Sequence, residues 1–453
     1  MSVQEAVVAK VLLEGELTLL SPLLIGSGVE DRENDRDIVI LRDKDGTPYI
    51  PGTSLAGALR EIMVGSCPEM VPWLLGDLDA MQSSLDFADV KLRDAHTVFR
   101  DGVAIDDYLG AAIPGAKYDF EAVERGATGH LRLEATLRGC HTAESDESTK
   151  APLRQDVLAA LKFLAAKMSE GFNLGAMTAK GLGSVRLEKG VLGLFDFKKK
   201  EAVRSWLSAV MPQAKDAPVK LKYDELKSDL HTPKTFYFRG EFSLASSLII
   251  RRYGVESDGK AVATMLKSGD AAVIPGTTLK GVLRHRAAYI MENLGRDPEE
   301  LNSLMGSSRA DNAGSKSRLQ VTETYIDLSQ GILREKEHTR NRIDRFTGGT
   351  IDSALFTVHP LWQCREGTAF NLAFSIAEAT PSEVGLALFL IKDLCQGKIS
   401  LGGEQSIGRG ILRGGKATLN YAGEEFVLSE AGQVTKGDKH KLAEYAAAFG
   451  KGV

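Results

Sequence analysis

YIPGTSLAGALRE at residues 49–61 returns as VIPGTTLKGVLRH at 273–285, and the stretches around it repeat as well. EGELTLLSPLLI (14–25) is echoed by RGEFSLASSLII (239–250), and LGAMTAKGLGSVRL (174–187) by LGGEQSIGRGILRG (401–414). The offsets are 225, 224 and 227 residues, so three motifs recur in one order at one spacing. A fourth pair, AIDDYLGAA (104–112) and RIDRFTGGT (342–350), has an offset of 238, which places extra residues in the second half, in the Ser/Asn/Gly/Lys-rich stretch 306–318. The chain is a tandem of two homologous domains.

With 453 residues, two domains each have room for a core of their own. Hydrophobic residues make up 43% and charged residues 26%, with no apolar run long enough to span a bilayer and no signal-peptide pattern, so a cytoplasmic location and no membrane partner are expected. Cys67, Cys140, Cys364 and Cys395 lack CxxC spacing, which argues against a zinc knuckle or disulfide framework and reads as buried apolar filler. A net charge of −5 excludes a chain that coats nucleic acid through overall positive charge and leaves only local basic grooves.

Residues 10–20 and 235–245 alternate apolar with polar and read as strands. The IPG turn then leads each half into a helix, Thr53 to Val64 and Thr277 to Leu294, where Thr or Ser can cap. A strand (131–137, 369–376), a helix (155–169, 382–395) and the glycine-rich segment follow. Strand, helix, strands, helix, strand is the order of a split βαβ domain, so the expected fold is α+β, two tandem ferredoxin-like (RRM-like) domains. The boundaries read as 1–191 for the first domain, 192–233 for a linker, and 234–453 for the second domain with its tail.

DIVILRDKDGTPYIPGTSLAGALR (37–60), AIDDYLGAAIPGAKYDFEAVERGA (104–127), GAMTAKGLGSVRL (175–187), IPGTTLKGVLR (274–284), RNRIDRFTGGTIDSALF (340–356) and GGEQSIGRGILRG (402–414) together resemble the RAMP superfamily. The match is to the ferredoxin-like RNA-binding subunits of CRISPR effector complexes, and within them to the repeating backbone subunit of type III complexes, in the fused form of the type III-D-like variants. The resemblance implies CRISPR guide RNA and complementary target RNA as ligands. It also implies other RAMP subunits, a large polymerase-like subunit and a small subunit as neighbours. It further implies thumb hairpins that insert into the guide–target duplex, for which residues 113–124 and 351–362 are the counterparts.

The residues support that reading in several places. Gly181 and Gly183 in one copy, and Gly408 and Gly410 in the other, let backbone approach a ligand and offer amides to phosphate, with Lys180 and Arg409 adding charge. A tight turn between helix and strand would use the same glycines. At the IPG junctions Gly52, Thr53 and Ser54, and Gly276, Thr277 and Thr278, stand at helix N-termini that favour an anion, with Arg60, Lys280 and Arg284 nearby. Plain capping is the other use of those hydroxyls. The basic run Arg334, Lys336, His338, Arg340, Arg342 and Arg345 is a solvated face on charge pattern alone. The adjoining RIDRFTGG turns the reading of Arg340, Arg342 and Arg345 toward RNA. The glycines follow the last helix rather than the first strand, and no GxxxxGK[ST] string is present, so no nucleotide cofactor is expected.

For cleavage, the resemblance singles out a loop Asp five residues before an Arg and ahead of the IPG motif, which Asp37 and Arg42 match. Such an acid can orient or deprotonate a 2′-hydroxyl, or hold a divalent metal, Mg or Mn, on the scissile phosphate. In the second copy the equivalent count lands on Ala261, and Asp258, three residues farther away, is the acid that a longer loop could present. Two other readings stand beside a guide-dependent endoribonuclease. One is a scaffold that holds RNA without cutting, and the other is a transcript-processing enzyme using His96, His130, His141 or His338.

Overall fold

The computed structural model describes residues 6–28, 37–77, 82–106, 112–139, 154–223, 234–255, 261–307 and 314–450. By internal contacts the chain divides into two units, residues 1–178 with 182–233, and residues 179–181 with 234–453.

The first unit runs β1 (Val7–Leu19), β2 (Tyr49–Ile50), α1 (Gly52–Ser66), α2 (Val71–Leu75), β3 (Leu85–Phe87), β4 (Val90–Arg93), β5 (Thr97–Ile105), β6 (Ala112–Val123), β7 (Thr128–Arg138), α3 (Arg154–Glu170), β8 (Phe172–Asn173), β9 (Ser184–Asp196), α4 (Lys200–Leu207) and β10 (Val219–Lys220). Its sheet has the order β10-β9-β1-β7-β4-β2, with β3 on β7 and β8 on β9. The inner path β9-β1-β7-β4 is the antiparallel 4-1-3-2 arrangement of a ferredoxin-like domain, because the first strand of the repeat lies between the third and the last. Alternation in β1 puts Val11, Leu13, Leu17 and Leu19 into the core, and α1 and α3 cover that face with Leu55, Leu59 and Met63 and with Leu161, Leu164 and Met168.

The second unit runs β11 (Phe236–Leu244), β12 (Ser247–Leu248), β13 (Arg251–Val255), β14 (Ala261–Met265), β15 (Lys267–Ser268), β16 (Ala271–Ile274), α5 (Gly276–Asn293), α6 (Leu301–Met305), β17 (Leu319–Val321), β18 (Thr324–Ile326), β19 (Leu333–Glu335), β20 (His338–Ile343), β21 (Thr350–His359), β22 (Leu361–Gln363), β23 (Phe370–Ile376), α7 (Pro381–Cys395), β24 (Leu412–Tyr421), β25 (Glu424–Leu428), β26 (Val434–Lys436) and α8 (Lys439–Gly450). Its main sheet, β17-β23-β11-β24-β25-β26, contains the same arrangement in β24-β11-β23-β17. Leu279, Leu283, Ala287 and Met291 of α5 and Ala387, Leu390 and Leu394 of α7 bury against Phe238, Phe242, Leu372 and Phe374. The fold is therefore mixed α+β and tandem ferredoxin-like, as the repeats predict.

Some details differ from the expectations. Residues 192–223, expected in the linker, contain the end of β9, then α4 and β10, and β10 pairs with β9. Trp206 of α4 packs edge-on against Phe195 at 5.1 Å and Phe197 at 5.8 Å, so aromatic burial ties this stretch to the first unit. Residues 113–124 and 351–362 do not each make a hairpin. β6 and β21 are single strands that pair with the preceding β5 and β20, and β21 also pairs in parallel with β14. In the second unit the reason is local: the Asp344 carboxylate accepts from the Phe346 and Thr347 amides and Gly348 has φ +69°, so the chain reverses before Ile351. Of the cysteines, Cys67 is buried, and burial pushes its thiol up to about 11, whereas Cys364 is exposed. No helix among the described residues is long and apolar enough to cross a membrane.

Candidate nucleic-acid interface and cleavage site

Asp37 is exposed beside the middle of the β5–β6 hairpin, where Asp119 of β6 pairs with Asp101 of β5. The segment that carries it lies against β6 in parallel, with Ile38 opposite Phe120. The Asp37 amide donates to Asp119 Oδ1 at 3.1 Å, and the Asp119 amide donates to Asp37 Oδ2 at 2.9 Å. Two residues along β6 the Glu121 amide donates to the Ile38 carbonyl at 2.9 Å. The Glu121 carboxylate, buried, accepts from the Ile40 amide at 3.2 Å and from both terminal nitrogens of Arg42 at 2.9 and 2.6 Å. The Asp-to-Arg spacing thus has a physical meaning: Arg42 is the bidentate anchor of the strap whose other end presents Asp37. Among the described residues no group of three or more His, Cys, Asp or Glu side chains is placed to hold a metal ion. A metal here would use an open site of one or two carboxylates completed by water and phosphate oxygens, the mode usual for Mg²⁺. Asp258 and His141 lie outside the described residues.

At the IPG junctions the hydroxyls do not cap. Pro51 and Pro275 are the capping residues of α1 and α5, with no side-chain cap bond at either. The Gly52 amide instead donates to Asp89 Oδ1 at 2.8 Å, so a carboxylate already occupies part of this N-terminus. A Cβ on Gly52 would run into the Phe87 carbonyl, so close backbone packing is one reason for glycine there. Gly276 is buried at the start of α5, Thr53 is exposed, and Ser54, Thr277 and Thr278 are half-buried. The Ser54 and Thr278 amides donate to the Pro51 and Pro275 carbonyls, each at 3.0 Å.

The cations near these junctions are engaged in the fold. Arg60 donates to the carbonyls of Leu75 and Gly76 at 2.7 and 2.9 Å, closing the C-terminus of α2. Arg284 does the same for α6, reaching the Gly306 carbonyl and Asn302 Oδ1, both at 2.7 Å. Lys280 is buried and donates to Ser317 Oγ at 2.6 Å and to the Leu319 carbonyl at 3.2 Å. Burial pushes its ammonium down to about 8.

The two glycine loops share one backbone design. Gly183 has φ +74° and Gly410 φ +77°, and their amides donate to the Pro22 and Ser247 carbonyls, both at 2.7 Å. Those two amides therefore serve the fold. A Cβ at either would strike the carbonyl of Leu174 or Leu401, so only glycine fits. The 227-residue offset puts Leu182 opposite Arg409 and Lys180 opposite Ile407, so Lys180 and Arg409 are not counterparts. Gly181 is buried and Lys180 half-buried, whereas a Cβ at Gly408 would meet nothing within 4 Å.

Arg409 is 3% exposed. It donates from Nε to Glu404, from Nη1 to Ser247 Oγ and from Nη2 to His338 Nδ1, each at 2.6 Å, and its guanidinium lies 5.6 Å over the Trp362 ring. Arginine cannot accept, so Nδ1 accepts and the proton of a neutral His338 ring is on Nε2. Glu404 also accepts from Arg251 at 3.1 Å and from Arg340. Burial alone would raise the Glu404 carboxyl, but the guanidiniums of Arg409, Arg340 and Arg251 outweigh it and hold the group below the usual carboxylate range. Arg340 Nε has no hydrogen bond among the described residues, Arg342 is exposed on β20, and Arg345 is exposed in the turn that follows it.

Sequence reasoning placed Asp37 and the exposed arginines but missed Asp119, Glu121 and Glu404. The DFE string at 119–121 carried a signal, since acids two apart on a strand share a face. The family model that matches the chain is that of the RAMP superfamily, over residues 16–186 and 225–413. No curated protein matches.

Proposed function

The chain belongs to the RAMP superfamily, a family of CRISPR-associated RNA-binding proteins, and on that premise we propose that it is a guide-RNA-binding backbone subunit of a type III CRISPR ribonucleoprotein that cuts complementary target RNA at fixed positions. The observation that carries the cutting role is the exposed Asp37 carboxylate, held beside the middle of a hairpin whose strands expose Phe99, Val103, Ile105 and Ile113. Apolar side chains on a hairpin suit insertion between stacked bases, and a nucleotide unstacked there brings its 2′-hydroxyl and scissile phosphate toward the Asp37 segment beside the hairpin. The guide reads the target by base pairing, so the protein needs contacts to backbone geometry alone.

In the step proposed, the Asp37 carboxylate takes the proton of the 2′-hydroxyl, whose oxygen forms a bond to the adjacent phosphorus. The P–O5′ bond breaks with its electron pair on O5′, which takes a proton from water. The products are a 2′,3′-cyclic phosphate and a 5′-hydroxyl. A divalent ion, Mg or Mn, resting on the carboxylate would supply charge stabilisation at the phosphate. Asp258 is the corresponding acid proposed for the second unit. Arg340, Arg342 and Arg345 would follow the phosphate backbone, with Thr53 and Lys180 as further contacts. Partners would be other RAMP subunits, a large polymerase-like subunit and a small subunit.

The test is a set of complementary target RNAs with single 2′-deoxy substitutions, offered to the assembled complex. All-ribose target should be cut at regular positions, and each substitution at a cut position should abolish that cut alone. Cutting that ignores the substitutions would exclude attack by the 2′-hydroxyl. Binding without any cutting would leave the scaffold role.

A further inference from the structure

Asp37 is an exposed side chain on an extended segment, a setting in which an aspartate ordinarily samples several rotamers. Here it does not stand alone. Its amide is tied to the Asp119 carboxylate and its Oδ2 to the Asp119 amide, at 3.1 and 2.9 Å, so both the backbone and one oxygen of the acid are referred to a single residue of β6. Oδ1 has no hydrogen-bond partner among the described residues. Behind this contact the Glu121–Ile38 and Glu121–Arg42 bonds keep the segment in register with β6.

We propose that Asp119 is a positioning residue for Asp37: its carboxylate holds the Asp37 main chain where the Asp119 amide can hold Oδ2, which leaves Oδ1 for the 2′-hydroxyl and makes the acid move with the hairpin strand. This rests on the reading of Asp37 as the cutting group and deepens it. The acid is referenced to β6 of the hairpin, outside the β9-β1-β7-β4 path, so the part of the chain that would unstack a nucleotide also carries the group that acts beside it. A misplaced reacting group costs a factor of roughly ten to a hundred in rate.

The experiment compares assembled complexes carrying wild-type chain, Asp37→Ala, Asp119→Ala and Asp119→Asn, by single-turnover cutting of labelled complementary RNA with the target Kd measured alongside. Both substitutions keep the main-chain N–H that Asp37 Oδ2 accepts from, so Asp119→Ala removes only the side-chain oxygen that holds the Asp37 amide, and asparagine retains that oxygen. The expected result is that Asp119→Asn cuts within about threefold of wild type, while Asp119→Ala slows the cut that Asp37→Ala abolishes by roughly ten- to a hundredfold, with Kd unchanged. Wild-type cutting by Asp119→Ala, with Asp37→Ala inactive at that position, overturns the positioning role and leaves Asp37 in place. Equal losses in Asp119→Ala and Asp119→Asn together with a weakened Kd also overturn it, since they mark a structural or charge role. Normal cutting by Asp37→Ala overturns both this inference and the reading beneath it.

Discussion

The two glycine loops follow one main-chain path but fill its interior with different side chains. The Leu174 and Leu401 amides donate to the Gly183 and Gly410 carbonyls at 2.8 and 2.9 Å, and Met177 and Glu404 are both left-handed at φ +58° and +59°. Yet the side chain that fills the interior is Leu182 in one loop and Arg409 in the other. Glycines and main-chain hydrogen bonds are therefore enough to set the path, and the interior position is free to change. Change to a charge has consequences: a buried guanidinium requires a carboxylate and further acceptors, and Glu404, Ser247 and His338 supply them. Among the described residues of the first unit the most buried guanidinium–carboxylate pair lies elsewhere, between Arg132 and Glu14.

The sharpest break in the comparison is Glu404→Ala, which leaves Arg409 buried without its carboxylate. Such a loss costs roughly 3–5 kcal/mol, read as a fall in the second unit's urea midpoint, whereas Met177→Ala at the matching position changes stability by less than about 1.5 kcal/mol. Acid should act in the same direction. The depressed Glu404 carboxyl contributes stability that is present above the ordinary glutamate range and is lost as pH falls through its lowered folded value. Acid titration of wild type against Glu404→Gln measures that loss, and the stability gap between them should close at low pH.

Gly183→Ala and Gly410→Ala probe what the loops share. Each forces a Cβ into a carbonyl at a left-handed φ, and each should destabilise its own unit by roughly 2–4 kcal/mol in thermal melts. A large loss at one with none at the other would break the equivalence of the two backbones. Smaller again is Arg409→Leu, which converts the second loop to the first. Glu404 keeps Arg251 and Arg340, so the cost is roughly 1–2 kcal/mol for the donors lost to Ser247 and His338, with RNA affinity unchanged. By contrast Arg342→Ala and Arg345→Ala should leave stability within about 0.5 kcal/mol and each reduce the salt slope of RNA binding by about one, measured by titration at several salt concentrations.

The tandem ferredoxin-like fold was legible because repetition converts weak local patterns into two independent readings of the same order. Asp37 was singled out through the family resemblance, which gave its spacing to Arg42 a meaning. What could not be read was which charged residues the fold uses internally. Arg60 reaches the α2 terminus 15 and 16 residues away, and Arg409 reaches Ser247 across 162 positions, so their engagement follows from tertiary packing. Glycine in IPG and GxG strings likewise answers to carbonyls that pack against it, of Phe87, Leu174 and Leu401, which one-dimensional spacing does not display. The second hairpin was misread for a different reason, because the Asp344–Gly348 turn that reverses the chain lies ahead of the stretch taken as the hairpin.

The central claim is that the first unit cuts through Asp37. The most direct test is the product pattern of labelled complementary RNA from assembled complexes carrying wild-type chain, Asp37→Ala, Asp258→Ala or both substitutions, with guide and target binding measured in parallel. The account predicts that Asp37→Ala removes one specific product with binding intact, and that Asp258→Ala removes a different one. An unchanged pattern in the Asp37→Ala complex would contradict it.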